Sequence, residues 1–530
     1  MPAKVTLSII KGSLSGRTYP FEQRDTCLVG RATECNLRLP DDADHKKISR
    51  RQCLLDINPP DVRIRDFGSR NGTFVNGESI GQREAGDPPP GAAIGLAREL
   101  THGDEIMMGT TTFRVDIQVP EVCSVCSKEI AGRDHPPLIK TAVPIPAICD
   151  ACRLKAEEER KREDEARKQA ALAGKPVPAA QRKPDPQKPK ARVCVQCGKD
   201  VSPKADANRQ GDLLCAACAG DIGAILLALI GGAKAGDKDL VAIKGYQIIK
   251  KIGGGGQGEV YLAKHEKSGE QVAIKVMLPQ CAVNATAKAS FLREMENTKA
   301  LAHRNVVKLR ESEASRGIFF MTLEYCDGGS VDNLMLRRGG VIAVDEAVGI
   351  LLQALDGLEY AHQAVIPNVV LKDGTIGSGK GLVHRDIKPH NLFLSGTGEA
   401  MVVKVGDYGL AKAFDKAGLS GHTMSGAVAG TLQFMPRQQV VTFRYSKPEV
   451  DVWGMAASLY YMLTGATPRN FPKGEDPFRV VLDTKPVPIG DRKRSIPAPL
   501  AKVIDQALVD KPEIYFKTAA DLKRAIVGAM

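Results

Sequence analysis

The sequence has no long hydrophobic run. Its most apolar window, Ile222–Ile230, is far shorter than the ~20 residues a membrane-spanning helix needs. The opening stretch MPAKVTLSIIKGSLSG has no extended apolar segment behind its charge, so no secretory leader is expected. Aromatic residues make up only 5% of the 530 positions. They nowhere interleave with a basic face, which argues against nucleic acid as a partner. The net charge of +12, from 74 Lys+Arg against 62 Asp+Glu, points the other way at first sight. Much of that excess, however, sits in one run, 153–192, whose first half mixes Glu, Lys, Arg and Ala without an apolar stripe and whose second half is rich in Pro and Lys. Such a run reads as a solvated helix followed by a semi-rigid spacer. The expectation is a soluble, cytoplasmic protein, with no membrane contact and about three to four domains.

Thirteen cysteines are present, and eight of them form four CxxC pairs. In a reducing compartment that pattern favours metal over disulfides. Cys123 and Cys126 are followed by Cys149 and Cys152; Cys194 and Cys197 are followed by Cys215 and Cys218. A CxxC turn supplies two thiolates from one short loop, and zinc wants four in a tetrahedron. The expectation is two structural Zn2+ sites in two small zinc ribbons, 119–152 and 193–220, separated by the linker 153–192 and followed by a second linker, 221–244. A dithiol redox switch or an exposed iron centre is the alternative.

Residues 1–118 alternate short apolar runs with turn signals, which suggests a β-sandwich. Three fragments stand out: Gly30-Arg31, Ser49-Arg50-Arg51-Gln52, and Ser69-Arg70-Asn71-Gly72-Thr73-Phe74-Val75-Asn76-Gly77. Together they resemble the forkhead-associated (FHA) domain, a reader of phosphothreonine peptides. The resemblance implies that Arg31, Ser49 and Arg50 bind the phosphate and that Asn71 bonds the peptide main chain. Gln52 stands where the family usually has His; there it would support the binding loop.

The remaining residues, 245–530, are organised around His384-Arg385-Asp386-Ile387-Lys388-Pro389-His390-Asn391. This run places a carboxylate that can take a hydroxyl proton, a lysine that can neutralise phosphate, and an amide that can hold a metal ion at fixed spacing. Upstream, Ile252-Gly253-Gly254-Gly255-Gly256-Gln257-Gly258-Glu259-Val260 lies between two strand-like runs and is followed by Val272-Ala273-Ile274-Lys275. A strand after the glycines excludes the dinucleotide-binding arrangement, which needs a helix there. Downstream comes Asp407-Tyr408-Gly409. The ordered set resembles the protein kinases, and the lysine two residues after Asp386 resembles their serine/threonine branch. The fold class expected is therefore multidomain: a β-sandwich, two zinc ribbons and an α+β two-lobed kinase.

By that resemblance, Asp386 is the base, Lys388 stabilises the transferring phosphoryl group, and Asn391 and Asp407 hold Mg2+. The glycine-rich run 252–260 and Lys275 hold ATP. Glu294 pairs with Lys275, with Glu296 as runner-up, and main-chain groups of Glu324 and Cys326 meet the adenine. Ser420, Thr423 and Ser425 are candidate phosphosites. A phosphothreonine at Thr423 would give the FHA domain a ligand in cis or on a second copy, a route to self-association. Protein substrates bearing Ser or Thr are the expected partners, with phosphothreonine proteins at the FHA domain. The alternative is a pseudokinase scaffold, and a nucleic-acid sensor working through the ribbons is a further rival.

Three departures from the pattern matter. Residues 366–380 are extra and read as a hairpin with an Asp-Gly turn. The turn around Ser395-Gly396-Thr397-Gly398 is longer than usual. The Ala-Pro-Glu triplet that ends the activation segment is Pro436-Arg437-Gln438, and Tyr515 stands where the family has that glutamate's buried arginine. Both partners of the usual ion pair are missing together, which implies a repacked lobe.

Overall fold

The computed structural model describes residues 3–22, 25–82, 97–118, 194, 197–199, 215–219, 221–234, 243–255, 258–277, 285–315, 318–370, 376–408, 432–441 and 446–530. The first zinc-binding set (Cys123, Cys126, Cys149, Cys152), Gly256, Gln257 and the three candidate phosphosites lie outside them.

Residues 4–118 form a two-sheet sandwich. One sheet has the order β2-β1-β11-β10-β7-β8, built from β1 (Lys4–Lys11), β2 (Thr18–Phe21), β7 (Thr73–Val75), β8 (Glu78–Gly81), β10 (Glu105–Met108) and β11 (Thr111–Gln118). The other has the order β4-β3-β5-β6-β9, from β3 (Asp25–Gly30), β4 (Leu37–Arg38), β5 (Cys53–Asn58), β6 (Asp61–Asp66) and β9 (Arg98–Leu100). In β1 the buried residues alternate with partly exposed ones, as a sheet with one solvated face requires. Val5, Leu7 and Ile9 point into a core shared with Cys27, Val29, Leu55, Ile57 and Phe113. Strand β3 breaks that rule: all six of its residues are buried. Its outward face is covered by the carboxy-terminal lobe of the next unit.

That unit begins with a five-stranded antiparallel sheet in the order β12-β13-β14-β16-β15: β12 (Tyr246–Gly255), β13 (Gly258–His265), β14 (Gln271–Met277), β15 (Leu309–Ser315) and β16 (Ile318–Glu324). Two short helices precede it, α1 (Ala216–Ala219) and α2 (Ile222–Lys234). The apolar side of α2 places Ile225, Leu226, Leu229 and Ile230 against Tyr261, Val272, Ile274 and Phe320 of that sheet. Helix α3 (Ala285–Lys299) packs beside β15 and puts Phe291 and Met295 against Phe319 and Met321.

The second lobe is helical. Its axis is α5 (Val344–Gln363), packed against α7 (Glu449–Thr464) and α11 (Ala519–Val527). Between α5 and the catalytic run, β18 (Val365–Val370) pairs antiparallel with β19 (Ile376–Lys380). The expected hairpin is thus present, with its turn outside the described residues. It leans on α3, where the Asn297 side chain exchanges two hydrogen bonds with the Asn368 main chain at 3.0 and 3.3 Å. The extra segment is a brace for α3 rather than a loose insertion. Strands β20 (Leu392–Ser395) and β21 (Val402–Val405) carry the longer turn, anchored where the Gly396 amide donates to Asp327 at 2.8 Å.

The missing glutamate–arginine pair has a replacement. Helix α6 (Arg437–Val441) begins at the unusual triplet, and the Arg437 amide donates to Asp510 Oδ2 at 2.9 Å. Arg469 Nη2 donates to the same oxygen at 2.5 Å, and its guanidinium lies 5.0 Å from the Trp453 ring centroid. Gln438 Nε2 donates to the Asp510 carbonyl at 2.7 Å. Arg469 and Asp510 are both nearly fully buried. The lobe is thus repacked around a buried pair of its own. The acid has moved to Asp510 and the bases to Arg437 and Arg469, so neither charge is buried alone.

Candidate active site

The catalytic run is held in place by one buried acid. Asp451, on α7, accepts from the main-chain amides of His384 and Arg385, each at 2.7 Å, and meets His362 Nε2 at 2.8 Å. Burial alone would raise its carboxyl, but the His362 contact and these donors hold it below the ordinary value. His384 is fixed by hydrogen bonds at both ring nitrogens. Its Nδ1 accepts from the Asp386 amide at 3.2 Å, which leaves Nε2 to donate to the Gly406 carbonyl at 2.7 Å. Arg385 and Asp407 both adopt positive φ, 68° and 61°, a conformation that costs energy outside glycine. Such strain survives only where neighbours enforce it. For Arg385 they include Asp451 on its amide and Gln439 Nε2, which donates to its carbonyl at 2.6 Å.

These restraints aim three side chains at one point. Asp386 Oδ2 receives Asn391 Nδ2 at 3.0 Å and lies 2.9 Å from Lys388 Nζ. Asn391 Nδ2 also donates to the Asp386 carbonyl at 2.7 Å, which turns its amide oxygen to the other side. Asp386 Oδ1 is buried and accepts no hydrogen bond among the described residues. A buried acceptor left open is costly, and here it is the atom a substrate hydroxyl would approach.

Across the cleft, Lys275 Nζ donates to Asp407 Oδ2 at 2.7 Å. Burial would raise the Asp407 carboxyl; the Lys275 ammonium outweighs it and holds the group below its usual value. Strand register sets Lys275 beneath the glycine hairpin, opposite Val260 on one side and Met321 on the other. In the hairpin, Gly253, Gly254 and Gly255 pair with Val260, Glu259 and Gly258. A Cβ on Gly258 would lie 2.0 Å from the Val276 carbonyl oxygen, so this position admits glycine alone. Glu259 is tied to Lys251 and to the Tyr261 hydroxyl, and Ile252 is exposed at the hairpin's edge. Glu294 is buried on α3 while Glu296 is exposed; the ion pair the structure gives Lys275 is with Asp407. The strand leading out of the sheet ends at Glu324, whose amide donates to the Lys308 carbonyl at 2.9 Å. Cys326 follows as a buried thiol pushed up to about 12 by desolvation, which leaves it unreactive.

Two further candidate sites are assembled. The Sγ atoms of Cys194, Cys197, Cys215 and Cys218 all lie within 4.8 Å of one another. Gly198 takes φ 72° and closes a knuckle whose amide donates to the Cys194 carbonyl at 2.8 Å. In the sandwich, Arg31 Nε donates to the Ile48 carbonyl at 2.6 Å and its Nη1 pairs with Asp41. The Ser49 hydroxyl accepts the Arg70 amide, Asn71 Nδ2 donates to the Lys47 carbonyl at 2.6 Å, and Arg50 is exposed beside them. Gln52 is fully buried. Its Oε1 accepts the Ser49 amide at 2.7 Å, and its Nε2 donates to the Gly72 carbonyl and the Thr73 hydroxyl. One glutamine thus ties the two loops together.

The family model for the protein kinase domain matches residues 246–513, half of the chain. The chain belongs to the protein kinase family. The family model for the FHA domain matches residues 27–109 within the sandwich. The kinase is 29% identical over 289 residues to serine/threonine-protein kinase PknB of Mycobacterium leprae, covering 53% of this chain and 42% of that one. It is 29% identical over 290 residues to serine/threonine-protein kinase PknD of Mycobacterium tuberculosis, covering 54% and 40%. The kinase spans less than half the length of these curated relatives. Among solved structures, the PknI kinase domain of M. tuberculosis aligns at 20% identity with a TM-score of 0.40, over 54% of this chain and 96% of that one.

Sequence reasoning missed several residues that the kinase uses: Asp510 and Arg469, Gln439, and the outward-facing Leu28, Leu54 and Phe67 of the sandwich. The last group did leave a trace. The runs TCLVG and CLLDI lack the alternation seen in β1, the mark of strands covered on both faces.

Proposed function

We propose that this kinase transfers the γ-phosphoryl group of ATP to serine and threonine hydroxyls of proteins, its own included. The open, buried Oδ1 of Asp386 carries the reading. It is buried and accepts no hydrogen bond among the described residues, and it sits on a carboxylate whose other oxygen is fixed by Asn391 and Lys388. Asp386 takes the hydroxyl proton, and Lys388 balances charge on the phosphoryl oxygens. Lys275 and the main-chain amides of the glycine hairpin hold ATP. The free oxygens of Asn391 and Asp407 would hold Mg2+, which when bound supplies charge neutralisation between the phosphates. The scaffold alternative has little to recommend it, since a chain without chemistry has no reason to keep a strained Arg385 and an orphaned acceptor together.

Phosphothreonine proteins are the partners proposed for the sandwich, at Arg31, Ser49, Arg50 and Asn71, with Gln52 in the supporting role. Zn2+ is proposed for Cys194, Cys197, Cys215 and Cys218, whose convergence suits a closed four-thiolate site. The same is proposed for the first cysteine set. Among the described residues no helix is long and apolar enough to cross a membrane, and a cytoplasmic setting is proposed. Incubating the purified kinase with Mg2+ and ATP beside Asp386→Ala, then mapping phosphosites by mass spectrometry, tests the enzyme. Phosphate on Ser or Thr in the wild type alone supports it; ATP binding with no phosphate in either protein overturns it.

A further inference from the structure

The sandwich does more than sit beside the kinase. Leu28 and Leu54, from the outer face of its five-stranded sheet, and Phe67, just after β6, share one apolar cluster with Leu432, Val441 and Phe478 of the carboxy-terminal lobe. Around that cluster the polar contacts are specific. Helix α6 is described as far as Val441, and two of its carbonyls there meet the sandwich. Thr26 Oγ1 donates to the Val440 carbonyl and Asn36 Nδ2 to the Val441 carbonyl, each at 2.7 Å. The sandwich therefore hydrogen-bonds directly to the main chain of this helix. Arg51 pairs with Asp483, and Arg65 pairs with Asp476, on α8 (Pro477–Asp483) and its N-cap.

Both ends of this interface touch functional loops. On the kinase side, one residue before Val440, Gln439 donates to the carbonyl of Arg385 at 2.6 Å. That is the strained residue directly preceding Asp386. On the sandwich side, the Ala32 amide donates to the Arg50 carbonyl at 2.8 Å and Cys35 Sγ lies 3.3 Å from the same oxygen. Ala32 and Cys35 belong to the shared apolar cluster, while Arg50 belongs to the phosphate pocket. A continuous run of contacts joins the pocket loop, the 32–36 segment, helix α6 and the catalytic loop.

We propose that phosphothreonine in the sandwich pocket is an activating input to the catalytic loop, delivered through α6. The proposal rests on the phosphothreonine reading given above. A phosphate held by Arg31, Ser49 and Arg50 brings about two negative charges to the 49–51 loop and fixes it from the outside. That loop already supports the docked 32–36 segment, so a ligand that orders it favours the docked arrangement over any looser one. Linkage makes the effect reciprocal: the docked kinase must hold the pocket in better shape than an undocked one.

The test uses the full chain with casein as substrate and, as probe, a phosphothreonine peptide selected from an oriented pool, with its unphosphorylated twin as control. The phosphopeptide should raise kcat about fivefold or more, within the usual range of coupling between sites. Asn36→Ala, at an exposed residue, and Leu54→Asp, on the docked face, should both lose this response. Both should also bind the phosphopeptide several-fold more weakly, although Arg31, Ser49, Arg50 and Asn71 are untouched. A phosphopeptide that binds without raising kcat, or an Asn36→Ala protein whose affinity and response match the wild type, overturns the inference. A phosphopeptide that does not bind at all overturns the phosphothreonine reading as well, so the two failures are distinguishable.

Discussion

Two accessory units are fastened to the kinase, one to each lobe, by different means. Helix α2, directly after the second cysteine set, covers the amino-terminal sheet with the apolar side chains Ile225, Leu226, Leu229 and Ile230. The sandwich covers the carboxy-terminal lobe with an apolar patch as well, but adds two hydrogen bonds to helix carbonyls and two ion pairs. Apolar burial is non-directional and fixes little beyond proximity. Hydrogen bonds to a helix end fix position, because a carbonyl left bare there costs free energy. The helix therefore serves as a cover for the nucleotide-binding sheet, while the sandwich is registered to within a bond length of α6.

The largest effect expected lies beneath the sandwich attachment. Asp510→Ala strands the buried Arg469 and frees α6 from below, at a cost of about 3–5 kcal/mol. Calorimetry should show a steep fall in Tm, and Gln438→Glu, which sets a second carboxylate beside Asp510, should lower Tm in the same direction. A stable Asp510→Ala protein would mean that the sandwich alone positions α6. On the other lobe, Leu226→Ala should cost about 2–5 kcal/mol by opening a cavity between α2 and the sheet. Nucleotide titration should then show weaker ATP binding, whereas Leu54→Ala should leave ATP affinity alone; equal effects would erase the contrast drawn here. Chelating the Zn2+ proposed for Cys194, Cys197, Cys215 and Cys218 should reproduce the Leu226→Ala result.

A smaller effect is expected at the hairpin. Asn297→Ala removes both bonds to Asn368, at about 1 kcal/mol each at most, and loosens α3. The KM for ATP should rise a few-fold with the response to phosphopeptide intact. The last contrast is silent at neutral pH. Asp451 has its carboxyl depressed below the unfolded value, so its contribution is fully present above the ordinary carboxylate range and is lost as pH falls through the folded value. Tm should decline below about pH 4, and Asp451→Asn should flatten that decline.

Much of the site was legible because its chemistry is local in sequence. Asp386, Lys388 and Asn391 fall within six residues, and no packing is needed to see that a carboxylate, an ammonium and an amide so spaced can share a point. Gln52 could be read as a support because the FHA resemblance places it at the position that supports the binding loop. The ion pair of the carboxy-terminal lobe could not. Asp510 lies 73 residues from Arg437 and 41 from Arg469, and a charge by itself does not name its partner. Nor could the extra hairpin be read as a brace, since Asn297 and Asn368 are ordinary surface residue types until helix α3 and strand β18 meet.

The sequence by itself determined the kinase family, the FHA sandwich beside it and the four cysteines, Cys194, Cys197, Cys215 and Cys218, that converge. Those depend on residue types at short spacing and on alternation along a strand, both of which survive without a third dimension. Which faces meet was decided only by tertiary structure. Leu28 and Leu54 are apolar whether they turn inward or outward, and burial is indifferent to the identity of the surface that supplies it. Only the folded chain shows that their partner is the helix leading back to Asp386.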